Sequence, residues 1–185
     1  MKYLILLIIG IVACSNNNKP VGPADTVNSF FRCMDHHDVK CLWKMSGPKS
    51  RRVFTALAKK LTLAHELVYN KVPHKYRKRY IKPLLLDKFP ARVKPLNCLA
   101  VLLNVRGLRA PSIPEKEMVV GKSGKNTTVY LPGDTTILLI NENGSMKMEV
   151  LGNTMLKLAF YRTMLHNLDV LNHDVSLFNK LALKK

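Results

Sequence analysis

The chain reads as α+β, with helices first, a strand meander next and helices last. Three observations predict this. Val27, Phe30, Phe31 and Met34 recur at the i, i+3, i+4, i+7 spacing of one helical face. Asn143-Gly144, the strongest short hairpin signal, separates two strand-like runs in "TTILLINENGSMKMEVL". Helical and strand-like segments also fall in separate blocks instead of alternating, which argues against an α/β fold.

The elements follow in order. Pro23 suits the first turn of a helix that runs to Asp35-His36-His37. Asp38 is placed to N-cap a second short helix carrying Val39, Leu42, Trp43 and Met45. Ser46-Gly47-Pro48 ends it and opens a third, whose apolar face is Val53, Leu57, Leu61, Ala64, Leu67 and Val68. Pro73, Pro83, Pro90 and Pro95 then interrupt any long helix. From Leu96 the character changes. "LNCLAVLLNV", "EKEMVVG" and "TTVYL" read as strands, and the Asn143-Gly144 hairpin follows. After Gly152-Asn153-Thr154 the spacing predicts a helix from Met155 to about Leu171 and a last helical segment to Lys185.

The first residues read as a targeting signal. Residues 3–12 are apolar, broken only by Gly10, with Lys2 ahead of them. A helix rising about 1.5 Å per residue needs roughly 20 residues to span a bilayer, so this run is too short to do so. Its length suits the apolar core of a secretory signal, with the small residue Ala13 before the cut. Ile11-Val12-Ala13-Cys14 resembles the lipobox of bacterial lipoproteins. That resemblance implies removal of residues 1–13 and acylation of Cys14, and so a membrane partner held through N-terminal acyl chains. Two or more chains give stable anchoring, at about 0.8 kcal/mol per buried methylene. Ser15 stands where an aspartate retains lipoproteins in the inner membrane of enteric bacteria. The expected location is therefore the cell envelope, with the outer membrane favoured over the inner. Residues 14–23 read as the lipidated cysteine and a polar, flexible tether.

Lys and Arg number 30 against 12 Asp and Glu, a formal charge of +18. Such an excess favours anionic partners and says nothing about fold. It is densest in residues 71–94, where nine basic residues face Asp87 alone. Lys71, Lys75, Arg77, Lys78, Arg79 and Lys82 are the candidate binding residues. Behind a lipoprotein signal the nearest polyanions are phospholipid headgroups, lipopolysaccharide and acidic cell-wall polymers, not nucleic acid. Near an anionic membrane each Lys or Arg contributes about 1 kcal/mol.

Of the other cysteines, Cys33 and Cys41 flank a short turn and form the candidate disulfide in an oxidising compartment. Cys98, in an apolar run, reads as a buried free thiol. No Cys/His spacing suits zinc, and no metal or cofactor is expected. His36-His37-Asp38 has the residue types of a metal or acid–base site, but adjacent histidines point to different sides and Asp38 is occupied as a cap. "GKSGKNTT", residues 121–128, misses the phosphate-loop pattern in both frames and reads as a β-turn. No catalytic constellation stands out.

"PADTVNSFFRCMDHHDVKCLWKMSGP" resembles the start of nuclear transport factor 2-like domains in bacterial lipoproteins, with their "TVxxFF" rhythm and a second helix ending near "S-x-P". "INENGSMKMEV" resembles that family's closing strands, with Met146 where Trp is usual. The resemblance covers residues 24–150. It implies a domain over residues 24–152, with N-terminal helices packed on a curved, cone-like antiparallel sheet, and residues 153–185 as a C-terminal helical extension. It also implies a function: a non-catalytic binding or structural lipoprotein, with a protein partner or a small apolar ligand in the cone. A lipid carrier is the alternative. A small enzyme would need a carboxylate inside the cone, for which Asp134, Glu142 and Glu149 are the candidates.

Overall fold

In a computed structural model, the structure describes residues 22–105, 113–124, 126–150 and 159–182. Residues 1–21, with the expected signal segment, Cys14 and most of the expected tether, lie outside the described residues, as do residues 151–158, which include Met155. Among the described residues the chain is α+β: six α-helices and a four-stranded antiparallel sheet.

Helix α1 (Pro23–Asp35) begins with Pro23 in its first turn, and the Asp25 carboxylate accepts from the Gly22 amide at 3.2 Å. It buries Val27, Phe30, Phe31 and Met34, the face expected from their spacing. His37 takes a left-handed conformation (φ 51°) and turns the chain into α2 (Val39–Met45). Asp38 caps α2 by accepting from the Cys41 amide at 2.9 Å. Helix α3 (Pro48–Asn70) buries Phe54, Leu57, Ala58, Leu61, Ala64 and Val68. Its buried stripe is thus centred one residue beyond Val53, which is half-buried, so that Phe54 enters the core. Short turns at His74–Tyr76 and Leu86–Lys88 flank α4 (Lys78–Ile81), the broken helical path that the prolines impose.

Two expectations are corrected. "LNCLAVLLNV" is not a strand but most of helix α5 (Pro95–Val105). Pro95 sits at its first position, and the Asn97 side chain accepts from the Lys94 amide at 2.8 Å, half of a capping box. An all-round apolar helix has no polar face, so periodicity alone cannot tell it from a strand. Among the described residues the C-terminal segment is one helix, α6 (Ala159–Ala182), not two.

Strands β1 (Val119–Ser123), β2 (Asn126–Leu131), β3 (Thr135–Glu142) and β4 (Ser145–Met148) form a meander in that order. Residues 115–117 of "EKEMVVG" form a 3₁₀ turn ahead of β1. Asn143 (φ 52°) and Gly144 (φ 79°) make the two-residue turn between β3 and β4, and the Asn141 side chain accepts from the Gly144 amide at 3.0 Å. Val129, Leu131, Ile137, Leu139 and Met148 alternate onto the buried face of the sheet. They join Phe30, Leu42, Phe54, Leu61 and Leu99 in one cluster, together with Met164, Leu168, Leu171 and Val175 of α6.

The sheet and α3 are joined at a junction. Gly47 donates to the Met148 carbonyl at 2.7 Å, and Ser46 bridges Met148 in parallel register. A Cβ on Gly47 would overlap the carboxyl of Glu149, so glycine is needed here for close approach.

Candidate functional site: the basic segment between α3 and α5

The last turn of α3 leaves carbonyls that need donors. Arg77 serves one of them: its guanidinium donates to the Tyr69 carbonyl at 2.6 Å, and also to the Val72 carbonyl just past the helix at 3.1 Å. It lies 5.8 Å from the centre of the Tyr69 ring, which stacks on His65 at 4.5 Å. Arg77 is therefore half-buried and committed to the fold.

Lys71, Lys75, Lys78, Arg79 and Lys82 differ from it in being exposed. Arg79 is 71 % exposed at its side chain and 4.0 Å from Asp174, too far for a strong pair. Asp87, the segment's own acid, sits 3.7 Å from Lys88. The five exposed cations thus carry a local excess of positive charge.

Contacts among the described residues hold this segment on the body, including a bond from the Asn167 side chain of α6 to the Pro83 carbonyl at 3.3 Å. The Tyr80 hydroxyl donates to Asp174 of α6 at 2.5 Å. Tyr76 stacks on Phe178 of α6 at 5.7 Å. At the far end the Val93 amide donates to the Thr62 hydroxyl of α3 at 3.0 Å. Burial, followed by the bond to Asp174, pushes the Tyr80 phenol up to about 12. The segment is a docked loop and not a free tail, so its charges occupy set positions.

The other candidates are placed as follows. Cys33 and Cys41 are joined, with Cα atoms 5.9 Å apart, and link the ends of α1 and α2. Cys98 is a buried free thiol, and burial pushes it up to about 12. His36 and His37 are exposed on the α1–α2 turn. "GKSGKNTT" spans the β1–β2 turn, with Gly124 at φ 57° and Lys125 outside the described residues.

The three carboxylates have different surroundings. Asp134 is exposed in the β2–β3 turn, at φ 55°. Glu142 takes a bond from Arg51 at 2.5 Å. Glu149 is 1 % exposed and holds the start of α3. Among the described residues, no group of three or more His, Cys, Asp or Glu side chains could hold a metal ion. No helix among them is long and apolar enough to cross a membrane.

Sequence reasoning missed Tyr69, Tyr76 and Tyr80. Their signal was present in "YNKVPHKYRKRY", where aromatic and basic residues interleave. Asp174 had no local signal, since it meets Tyr80 across 94 residues.

No protein-family model matches the chain, and neither a curated protein nor a solved structure matches it.

Proposed function

We propose that the protein is a lipid-anchored component of the bacterial cell envelope, with the outer membrane favoured, and that its role is binding or structural, not catalytic. Acyl chains on Cys14 would hold it to the membrane. The basic segment would then turn the domain against an anionic surface, either lipid headgroups or an acidic cell-wall polymer. The helices over an antiparallel meander would be a nuclear transport factor 2-like framework, consistent with the α1 face packing against β2 and β4.

One observation carries this reading: Lys71, Lys75, Lys78, Arg79 and Lys82 are all exposed on a segment that α3 and α6 hold in place. Positions held in advance reduce the ordering cost of binding. A structural role over a carrier role is supported by the interior. Phe30, Phe54, Val129, Ile137, Leu139 and Met148, each at most 3 % exposed, belong to one core cluster, which supports an interior packed by side chains over one that holds a ligand. A non-catalytic role is supported by Glu142 and Glu149, whose oxygens are committed to Arg51 and to the start of α3.

The test uses soluble protein beginning at Ser15, so that no acyl chain contributes. It should bind anionic vesicles and not zwitterionic ones. Affinity should fall steeply toward physiological salt, where exposed charges are screened over about 8 Å. Changing Lys71, Lys78 and Lys82 to Glu should weaken binding by about 3 kcal/mol or more, at about 1 kcal/mol per residue neutralised. Arg77 stays intact because it caps α3. Duplex DNA serves as a second polyanion: tighter binding to DNA than to vesicles would contradict the envelope reading. Vesicle binding that is absent at low salt, or unchanged by the triple reversal, would remove the basic segment from the proposal.

A further inference from the structure

Among the described residues seven large apolar side chains are exposed, five of them (Leu63, Val119, Val120, Tyr130 and Leu177) outside the basic segment and two, Tyr69 at 38 % and Tyr76 at 42 %, at it. Both belong to the basic segment or its entry, and each has a basic side chain against its ring. The Arg77 guanidinium lies 5.8 Å from the Tyr69 ring centre, and the Lys75 ammonium lies 4.9 Å from that of Tyr76. Each ring also stacks on a second ring, Tyr69 on His65 and Tyr76 on Phe178.

This combination discriminates between anionic partners. A water-soluble anionic polymer gains from the lysines, and from a phenol only where its own sugar or base ring can stack on it, whereas Tyr69 and Tyr76 each already have a cation and an aromatic ring against them. A bilayer surface gains from both. Tyrosine settles at the headgroup level, with its ring toward the apolar side and its hydroxyl toward water. Lysine and arginine stems lie along the same boundary while their charges reach the phosphates. The rings are already ordered in the free protein, so entry into the interface costs them little rotamer freedom.

We infer that the occupant of this face is an anionic lipid bilayer, and that Tyr69 and Tyr76 enter its headgroup layer beside Lys71, Lys75 and Lys78. The inference rests on the reading of the basic segment as an anionic-surface site and goes beyond it by choosing lipid over polymer. The domain then lies on the membrane with the α3–α4 connection facing the lipid.

The experiment uses the full chain, purified in detergent and reconstituted into vesicles containing phosphatidylglycerol. Tryptophan replaces one tyrosine at a time: Tyr69→Trp, Tyr76→Trp and, as a control on the sheet, Tyr130→Trp, whose parent residue is 46 % exposed. The native Trp43 is common to all, so each signal is read as the difference from the parent chain. With brominated acyl chains in the bilayer, the fluorescence added at positions 69 and 76 should be quenched and shifted to the blue. The fluorescence added at position 130 should not change. Adding Lys71→Glu, Lys78→Glu and Lys82→Glu together should abolish the quenching at 69 and 76 while the chain stays in the vesicles. Quenching equal at all three positions, or at none, overturns the inference. If it fails while the soluble chain still binds anionic vesicles with steep salt dependence, the charge reading stands and only lipid entry is lost. If vesicle binding by the soluble chain is also absent, both fall.

Discussion

Glu149 reaches Ser50 across 99 residues of sequence and accepts from both its amide, at 2.8 Å, and its hydroxyl, at 2.7 Å. The same carboxylate accepts from the Lys49 amide at 3.1 Å. Gly47, at the N-cap of α3, has no side chain to serve the free amides of the first turn. A buried acid from beyond β4 serves them instead, and its negative charge faces the positive end of the helix dipole.

Glu149→Ala should therefore destabilise the domain by about 2–4 kcal/mol, since it removes a cap and leaves buried donors without an acceptor. Glu149→Gln keeps one acceptor oxygen and should cost roughly half as much. Urea denaturation followed by far-UV circular dichroism measures both. Equal midpoints for the parent and the alanine variant would refute the capping role.

The β3–β4 turn needs positive φ at Asn143 and at Gly144. Nothing lies within 4 Å of where a Cβ on Gly144 would sit, so a substitution there is penalised by backbone strain and not by a clash. Gly144→Val should cost about 1–3 kcal/mol. Gly144→Asn, a residue that tolerates the left-handed region, should cost clearly less. Thermal melts of the two variants decide it, and equal losses would point to packing instead of strain.

Tyr80 gives a pH dependence with a defined sign. Its folded pKa is raised to about 12 by burial and by the bond to Asp174, above the ordinary value of 10.0. The folded state therefore holds the phenol proton more tightly than the unfolded chain does. The stabilisation is fully present below pH 10 and is lost as pH rises toward 12. Lysines also titrate there, so the informative quantity is the difference between the parent and Tyr80→Phe. The parent should lose more stability than the variant across that window. Parallel curves would mean that Tyr80 does not titrate differently in the two states.

Local signals were legible where local physics decides. The spacing of Val27, Phe30, Phe31 and Met34, the cap at Asp38, Pro48 at the start of α3 and the Asn143-Gly144 turn each act within a few residues, and each is found as read. Helix α5 was misread because its sequence is apolar all round, although Pro95 and Asn97 marked its start. The single span of α6 was missed for a different reason. Its stability comes from Leu168, Leu171 and Val175 packing into the core, which a linear reading does not see. In the basic segment, charge density was legible but the division of labour was not. Whether Arg77 faces water or the carbonyls at the end of α3 depends on how the chain folds back at Pro73. Tyr80–Asp174 and Glu149–Ser50 join positions roughly half the chain apart, and no local pattern marks either pair.

The proposed lipid anchor on Cys14 is what would bring the basic segment to a membrane. Intact-mass and peptide mass spectrometry of the protein extracted from bacterial membranes tests it most directly. The account predicts a mature chain beginning at Cys14, heavier than its sequence by a diacylglyceryl group and, in most molecules, a further acyl chain. Cys14→Ser should abolish the added mass and release the protein to the soluble fraction. A chain that retains residues 1–13, or one cut before Cys14 whose thiol carries no lipid, would contradict the account.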